Sequence, residues 1–114
     1  MQVFIIDCAW KNDRQNIANT TTDFHSMKKI DSKSISKLLD CEHAEAHEVT
    51  IGDHIFTVFC DPQAPIKGKP NSVVISDDGT LFFGKVILVQ SQNEKFVDMD
   101  EDHTQCLKNV FGIA

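Results

Sequence analysis

The chain has 114 residues, of which 41% are hydrophobic and 25% charged, and its formal net charge is −6. This length and composition indicate one globular domain, residues 1–114, and exclude a disordered chain or one that needs a metal or a disulfide in order to fold. The excess of acid disfavours a nucleic-acid-binding protein, because such proteins gain most of their affinity from Lys and Arg on phosphates.

The cysteines and the first residues of the chain predict the cellular location of the protein. The first residues carry no basic segment, and their apolar run is too short for a signal peptide. No stretch approaches the length of a membrane-spanning helix. We therefore expect a cytoplasmic protein whose four cysteines are reduced. These cysteines are widely spaced and form no Cys-x-x-Cys pair: Cys8, Cys41, Cys60 and Cys106.

Taken in chain order, the first third predicts two strands around a loop. Residues 3–6 are apolar and partly β-branched, which is typical of a buried strand. Residues 8–22 are polar and predict a loop, and residues 24–30 predict a second strand.

A short helix is expected next. Asp31 or Ser32 can cap its first turn, because a short oxygen-bearing side chain accepts a hydrogen bond from the free N–H groups there. The helix should run for about two turns. Three apolar residues at helical spacing form its core-facing stripe: Ile35, Leu38 and Leu39.

Residues 45–51 and 54–61 predict a β-hairpin, since two runs rich in Val, Ile, Phe and Thr flank Gly52 and Asp53. Glycine in the first loop position favours a two-residue turn of type II′. Such a turn sets the register of three cross-strand pairs: Ile51 with His54, Val49 with Phe56, and His47 with Val58. Apolar residues on both faces predict a central hairpin that is covered, at least partly, on both sides.

The following segment alternates loops and strands. Residues 61–72 hold all three prolines and predict a loop, because proline cannot donate to a strand ladder. Residues 73–75 predict a strand, and Asp77-Asp78-Gly79 predicts a turn. Residues 80–90 predict a long apolar strand in which Gly84 marks a bulge or a close approach of the backbone.

The chain ends in an expected helix, which Asp98 or Asp100 can cap and after which Gly112 is a natural stop. Its core-facing stripe is Cys106, Leu107, Val110 and Phe111. Together these elements predict an α+β fold, with a mostly antiparallel sheet of about five strands, a short helix and a C-terminal helix.

Patterns for catalysis and metal binding are weak. Cys41, His43 and His47 lie close in sequence, and the hairpin register places Cys60 opposite Glu45. Thiolate and imidazole are good zinc ligands. In an extended strand, however, His43 and His47 lie about 13 Å apart, at roughly 3.3 Å per residue, which is too far to share one ion. We therefore predict no metal site. Cys8 and Cys60 lie in or beside apolar strands, where thiols are normally inert, and the paired carboxylates fit a turn and a helix cap, so we also predict a non-enzymatic protein with no catalytic residue and no cofactor.

The loop at residues 66–72 is the candidate binding site. Lys67 and Lys69 flank Gly68, and Asn71 follows, so exposed backbone N–H groups and lysine side chains could hold an anion there. The segment lacks the Walker pattern of nucleotide-hydrolysing enzymes.

Two aromatic residues near the polar segment extend this site. Trp10 and Phe24 could stack on a base, although core packing is the ordinary role of such residues. Asp61, which ends the predicted hairpin beside the loop, completes the predicted set of ligand-binding residues.

One run of motifs resembles a known family. Cys60-Asp61, Gly68-x-Pro70-Asn71 and Asp78-Gly79-x-x-x-x-Gly84 precede an apolar strand and an acidic helix start. In this order they resemble domain of unknown function 3846, a family of small phage- and plasmid-borne domains. The resemblance runs from about Met27 onward. The family has no agreed activity, so it implies no catalytic residue.

The resemblance implies an accessory protein of a phage or another mobile element, working in the host cytoplasm. We expect it to counter host defence by binding, either by sequestering a nucleotide-derived signalling molecule or by inhibiting a host protein. A homo-oligomer is compatible with both. The alternatives are a small metal-dependent hydrolase, which zinc analysis would reveal, and an oligomerising structural module, which would form a defined oligomer without a ligand.

Overall fold

A computed structural model describes residues 1–11, 17–72, 79 and 81–113. All pairings between the described strands are antiparallel, in the order β2-β1-β5-β4-β3, with β6 also paired to β5. The predicted α+β fold is therefore confirmed, with a six-stranded sheet. The elements are β1 (Gln2–Trp10), β2 (Ala18–Ser26), α1 (Ser32–Leu39), β3 (Glu45–Ile51), β4 (His54–Cys60), β5 (Val86–Gln92), β6 (Lys95–Val97) and α2 (Glu101–Phe111).

The middle of the sheet is buried on both faces. Successive strand residues point to opposite faces, and four consecutive residues of β5 are fully buried: Val86, Ile87, Leu88 and Val89. Leu107 of α2 packs with Phe4 and Leu88 on one face. Ile35 of α1 packs with Ile87 on the other face. The two helices therefore cover opposite faces of the sheet.

The second hairpin, β3–β4, has the predicted register. Ile51 pairs with His54 and Val49 with Phe56. The predicted turn type is wrong, because both turn residues, Gly52 at φ 53° and Asp53 at φ 66°, have positive φ. Two positive φ angles define type I′, whose twist matches that of the strands, and aspartate tolerates this conformation better than most residues. Only β4 is central, since β3 is the edge strand of the described sheet.

The first hairpin, β1–β2, corrects the prediction of a loop at residues 8–22. Strand β1 continues to Trp10 and pairs Cys8 with Thr20 of β2. The predicted strand at residues 24–30 overlaps only the end of β2, which stops at Ser26. Strand β2 is exposed along most of its length and therefore lacks the apolar pattern that marks a strand in sequence.

One of the two predicted candidates caps each helix, Asp31 for α1 and Asp100 for α2. Asp31 Oδ1 accepts a hydrogen bond from Ser34 N at 2.8 Å, and Asp100 Oδ1 accepts one from His103 N at 2.8 Å. These backbone hydrogen bonds, first among several contacts, lower the pKa of each aspartate to about 2. Asp98 is not the cap of α2; its carboxylate accepts from Gln2 N at 2.6 Å instead.

Two expectations cannot be compared with the fold, because residues 73–75 and most of the turn at residues 77–79 lie outside the described part of the chain. The predicted strand at residues 80–90 corresponds to β5, which begins only at Val86, after Gly84. In the described part of the chain, neither helix is long and apolar enough to cross a membrane.

Candidate functional site

A cavity of about 360 Å³ lies where four segments meet: the end of β1, the end of α1, the proline-containing loop and the start of β5. Apolar side chains form part of its wall, including Leu39 and Ala64. The rest is charged. The ionic lining residues are Lys67, Lys69, Lys85, Asp7, Asp40 and Asp61. We call this space the lysine cavity.

Internal hydrogen bonds shape the loop at residues 61–72. Asp61 Oδ1 accepts from Gln63 N at 2.9 Å, and Lys69 N donates to Ala64 O at 3.1 Å. The N–H groups of Ala64, Lys67 and Gly68 also donate to carbonyl groups of the loop. The sequence-based idea that exposed N–H groups hold an anion is therefore wrong for these residues, and only their side chains are available.

Gly84 lets the loop lie close to the start of β5. Its N–H donates to Pro70 O at 2.8 Å, and its φ of 71° is one that glycine adopts without strain. A Cβ at this position would lie 3.3 Å from both Cβ and Cγ of Lys69. The predicted close approach is confirmed, and it positions Lys69 in the cavity wall.

The three lysines of the cavity differ in the partners of their ammonium groups. Lys67 Nζ donates to Asp61 Oδ2 at 2.7 Å. Burial would raise the pKa of Asp61, but hydrogen bonds from Lys67 and Gln63 lower it overall. Lys85 Nζ lies 3.4 Å from the α1 carbonyl oxygen of Leu38 and 4.0 Å from a carboxylate oxygen of Asp7.

Lys69 is the exception among them. Its side chain makes no hydrogen bond or ion pair with any residue that the structure describes, although its charge helps to lower the pKa of Asp61. Its ammonium group is therefore the cation of the lysine cavity that is most available to a ligand.

The other predicted ligand-binding residues have separate environments. Trp10 Nε1 donates to Gly68 O at 2.6 Å, so its indole ring holds the loop in place. Phe24 packs on Phe4, with ring centroids 4.8 Å apart, and is not part of the cavity wall. Asn71 is exposed and forms an isolated bridge with Phe83, also outside the wall. The structure thus brings Lys67, Lys69 and Asp61 together, without Phe24 or Asn71.

A second cluster lies on the second hairpin and was missed from the sequence. Potential ligand atoms of Glu45, His47 and Cys60 all lie within 4.8 Å of one another. The predicted register already contained the signal, because Cys60 lies opposite Glu45 and His47 is two residues along on the same face. The zinc hypothesis from sequence depended on His43 together with His47, but His43 does not belong to the cluster.

The two thiols near these sites are not activated. Burial, followed by the charges of Glu45 and Asp61, raises the pKa of Cys60 to about 11. Burial and the charge of Asp61 also raise the pKa of Cys41. Both thiols are therefore protonated at neutral pH, whereas a cysteine nucleophile needs a lowered pKa.

A polar contact at the start of α2 has a structural explanation. His103 Nδ1 lies 2.8 Å from Asp100 Oδ1, and the rings of His103 and His54 are 4.9 Å apart. Gln90, which is buried, exchanges hydrogen bonds with both the side chain and the N–H of Asp100. These contacts fix the capping carboxylate and tie the helix to β5.

Comparison with known proteins does not identify a family for this chain. No protein-family model matches the chain, and neither a curated protein nor a solved structure is significantly similar to it. The resemblance to domain of unknown function 3846 stays a prediction that rests on its motifs. Any functional assignment therefore depends on the chemistry of the lysine cavity and of the cluster on the second hairpin.

Proposed function

We propose that the chain is a binding protein that holds a small nucleotide-derived molecule in the lysine cavity, with a phosphate of the ligand against Lys69. One observation carries this proposal. The fold brings Lys85, beside β5, to the same cavity as Lys67 and Lys69 of the loop, and the ammonium group of Lys69 has no ion-pair partner among the described residues. A charge-assisted hydrogen bond to phosphate is about twice as strong as a neutral one.

The charge of the cavity favours a ligand with a single negative charge. Its three lysines and three aspartates balance formally, and Asp61 already engages Lys67. A second phosphate would lie near Asp7 or Asp40, and like charges repel in a partly enclosed site. A cyclic mononucleotide, with one phosphate charge, therefore fits better than a cyclic dinucleotide.

The size of the lysine cavity and its apolar wall also favour a small ligand such as a cyclic mononucleotide. Ligand cavities typically measure about 300–1,000 Å³. The lysine cavity, at about 360 Å³, is near the lower end of that range. Ala9, Leu39 and Ala64 provide apolar surface for the neutral part of a ligand, such as a base. Trp10 contributes by holding the loop through Gly68.

Sequestration is the function that such a site would serve. Asp31 and Asp100 cap helices, Asp61 is paired with Lys67, and the Cys60 thiol is buried with a raised pKa, so binding is favoured over turnover. From the resemblance alone, we propose that the chain is an accessory protein of a phage or another mobile element. In the host cytoplasm it would counter defence by removing a nucleotide-derived signal.

Thermal unfolding in the presence of candidate ligands tests the proposal. Cyclic AMP, cyclic GMP, cyclic di-GMP and ADP-ribose would each be added to the purified protein. A ligand at 100 times its Kd adds about 2.7 kcal/mol of stability, which corresponds to a rise in Tm of roughly 10 °C for a domain of this size. A larger rise with a cyclic mononucleotide than with cyclic di-GMP is expected. If none of the four changes Tm, the proposed ligand class is wrong.

A charge-matched pair of variants locates the site. Lys69→Gln should weaken binding of the active nucleotide by about tenfold or more in calorimetric titration, since a charged hydrogen bond to phosphate is lost. Lys33→Gln removes the same charge from an exposed position on α1 that does not line the cavity, and should leave Kd unchanged. Equal affinity in the two variants would place the ligand elsewhere.

The outer edge of β2 favours a second candidate function. Ala18–Ser26 pairs with β1 on one side only, and within the described chain no strand covers its other side. An open edge can add a strand from another chain, which would serve inhibition of a host protein or self-assembly. Light scattering after gel filtration tests the self-assembly form, and a monomer at high concentration would exclude it.

A further inference from the structure

We propose that Glu45, His47 and Cys60 form a zinc-binding site on the second hairpin. This proposal is independent of the nucleotide site, and it revises the expectation from sequence that the chain has no metal site. The three residues combine a carboxylate, an imidazole and a thiol, and zinc binds the last of these as a thiolate. The Cys60 thiol, which is protonated in the free protein, therefore releases its proton when the ion binds.

Strand pairing brings the three side chains together. Glu45 is directly opposite Cys60 in the antiparallel ladder, and His47 is opposite Val58. Side chains directly opposite one another share a face, and so do residues two apart on one strand. The cluster therefore arises from the register of two regular strands, which hold its Cα positions firmly.

The distances suit a tetrahedral ion after a small adjustment. Zinc with bonds of about 2.0–2.3 Å separates its ligand atoms by about 3.3–3.8 Å. His47 Nε2 and Glu45 Oε2 are already 3.5 Å apart, and no pair in the cluster exceeds 4.8 Å. The side chains of His47 and Glu45 are 43% and 57% exposed, so they are free to close the remaining gap of about 1 Å on the buried Cys60.

The surroundings also suit a bound ion. The three residues line one small cavity of about 170 Å³ together with Pro62, Pro65 and Phe82. The Phe82 ring meets the His47 ring edge-on, with centroids 5.7 Å apart. An ion pair would account for Glu45 and His47, and core packing for Cys60. Neither of these requires all three ligand atoms to converge in one cavity.

The donor set selects the class of metal. Magnesium and calcium take oxygen ligands, so a thiol and an imidazole disfavour them. Softer divalent ions such as Zn²⁺ accept nitrogen, sulfur and oxygen together. Three protein ligands leave a fourth position for water or another small ligand. We assign binding only and propose no hydrolytic step.

Metal analysis of the untagged protein is the direct test. The protein would be loaded with zinc and separated from free metal by gel filtration. We then expect one zinc ion per chain by inductively coupled plasma mass spectrometry. Cobalt substitution should produce a near-ultraviolet charge-transfer band, since that band requires a thiolate ligand. Absence of stoichiometric zinc, or a cobalt spectrum without the thiolate band, would overturn the proposal.

Variants at the exposed ligands avoid the risk of unfolding that Cys60→Ser carries. His47→Ala and Glu45→Gln should each weaken zinc binding by about tenfold or more, measured by competition with a chelating dye. The matched controls are His25→Ala on β2 and Glu48→Gln, which is also on β3 but points to the opposite face. Both controls should bind zinc like the parent chain. Unchanged affinity in His47→Ala and Glu45→Gln would overturn the site.

Discussion

The two hairpins of this sheet both pair antiparallel strands but differ in burial. In the second hairpin, Val49, Phe56 and Val58 are nearly or completely buried, and α2 packs against it. In the first hairpin, β1 is largely buried, whereas β2 is exposed along most of its length. The sequence pattern predicts the second hairpin with its register but not the first. The difference shows that alternating apolar residues reveal a strand only when the strand itself contributes to the core.

The largest difference in stability between the two hairpins is expected when a buried side chain of the second hairpin is truncated. Phe56→Ala in β4 should lower the free energy of unfolding by about 3–5 kcal/mol, because it leaves a cavity among buried side chains. Thr21→Ala on the exposed face of β2 should change it by no more than about 0.5 kcal/mol. Urea denaturation gives both values. Similar losses in the two variants would break the contrast between the hairpins.

A smaller effect is expected at the turn of the second hairpin. Gly52→Ala should cost about 2–3 kcal/mol, because Gly52 has φ 53° and an added Cβ would lie 3.1 Å from Cys106 Sγ of α2. Gly112→Ala is the matched control. Its φ is 65°, but its Cβ would meet nothing within 4 Å, so only the strain of about 1 kcal/mol remains.

Chemical denaturation of Gly52→Ala and Gly112→Ala separates the two contributions. A loss in Gly52→Ala no larger than that in Gly112→Ala would mean that the turn is not packed tightly beneath α2.

The smallest effect concerns the cap of the helix that covers the second hairpin. Asp100→Ala should cost about 1 kcal/mol at neutral pH, since it removes the acceptor for His103 N. The folded-state pKa of Asp100 is lowered from 3.8 to about 2. Its charge therefore stabilises the fold above pH 3.8, and this contribution is lost as the pH falls towards 2.

Asp100→Asn tests that pH dependence, because asparagine keeps an acceptor but cannot ionise. The difference in stability between the parent chain and Asp100→Asn should shrink between pH 4 and pH 2, as measured by urea midpoints. A difference that stays constant across this interval would contradict the lowered pKa.

Part of the candidate site could be foreseen from sequence and part could not. Lys67, Lys69 and Asp61 lie within one short loop, so their proximity is a local property. Lys85 and Asp7 join them only because β1 and β5 are neighbours in the sheet. The role of the loop N–H groups was mistaken, since their acceptors depend on how the loop folds back on itself.

The cluster of Glu45, His47 and Cys60 could be foreseen only in part from the sequence. The register that produces it was predicted correctly, yet its convergence also needs three side chains to turn towards one cavity that Phe82 helps to close. Phe24 shows the reverse, because a polar neighbourhood in sequence suggested a ligand contact where the folded chain packs the ring on Phe4.

Short-range chemistry was enough to specify both helices with two candidate caps for each, the register of the second hairpin and the close approach at Gly84 before β5. These depend on spacing, capping and turn preferences within a few residues of each other. Pairing of the exposed strand β2, the short strand β6 and the lining of the lysine cavity required the folded chain. Their partners are far apart in sequence, and only long-range packing decides which of them meet.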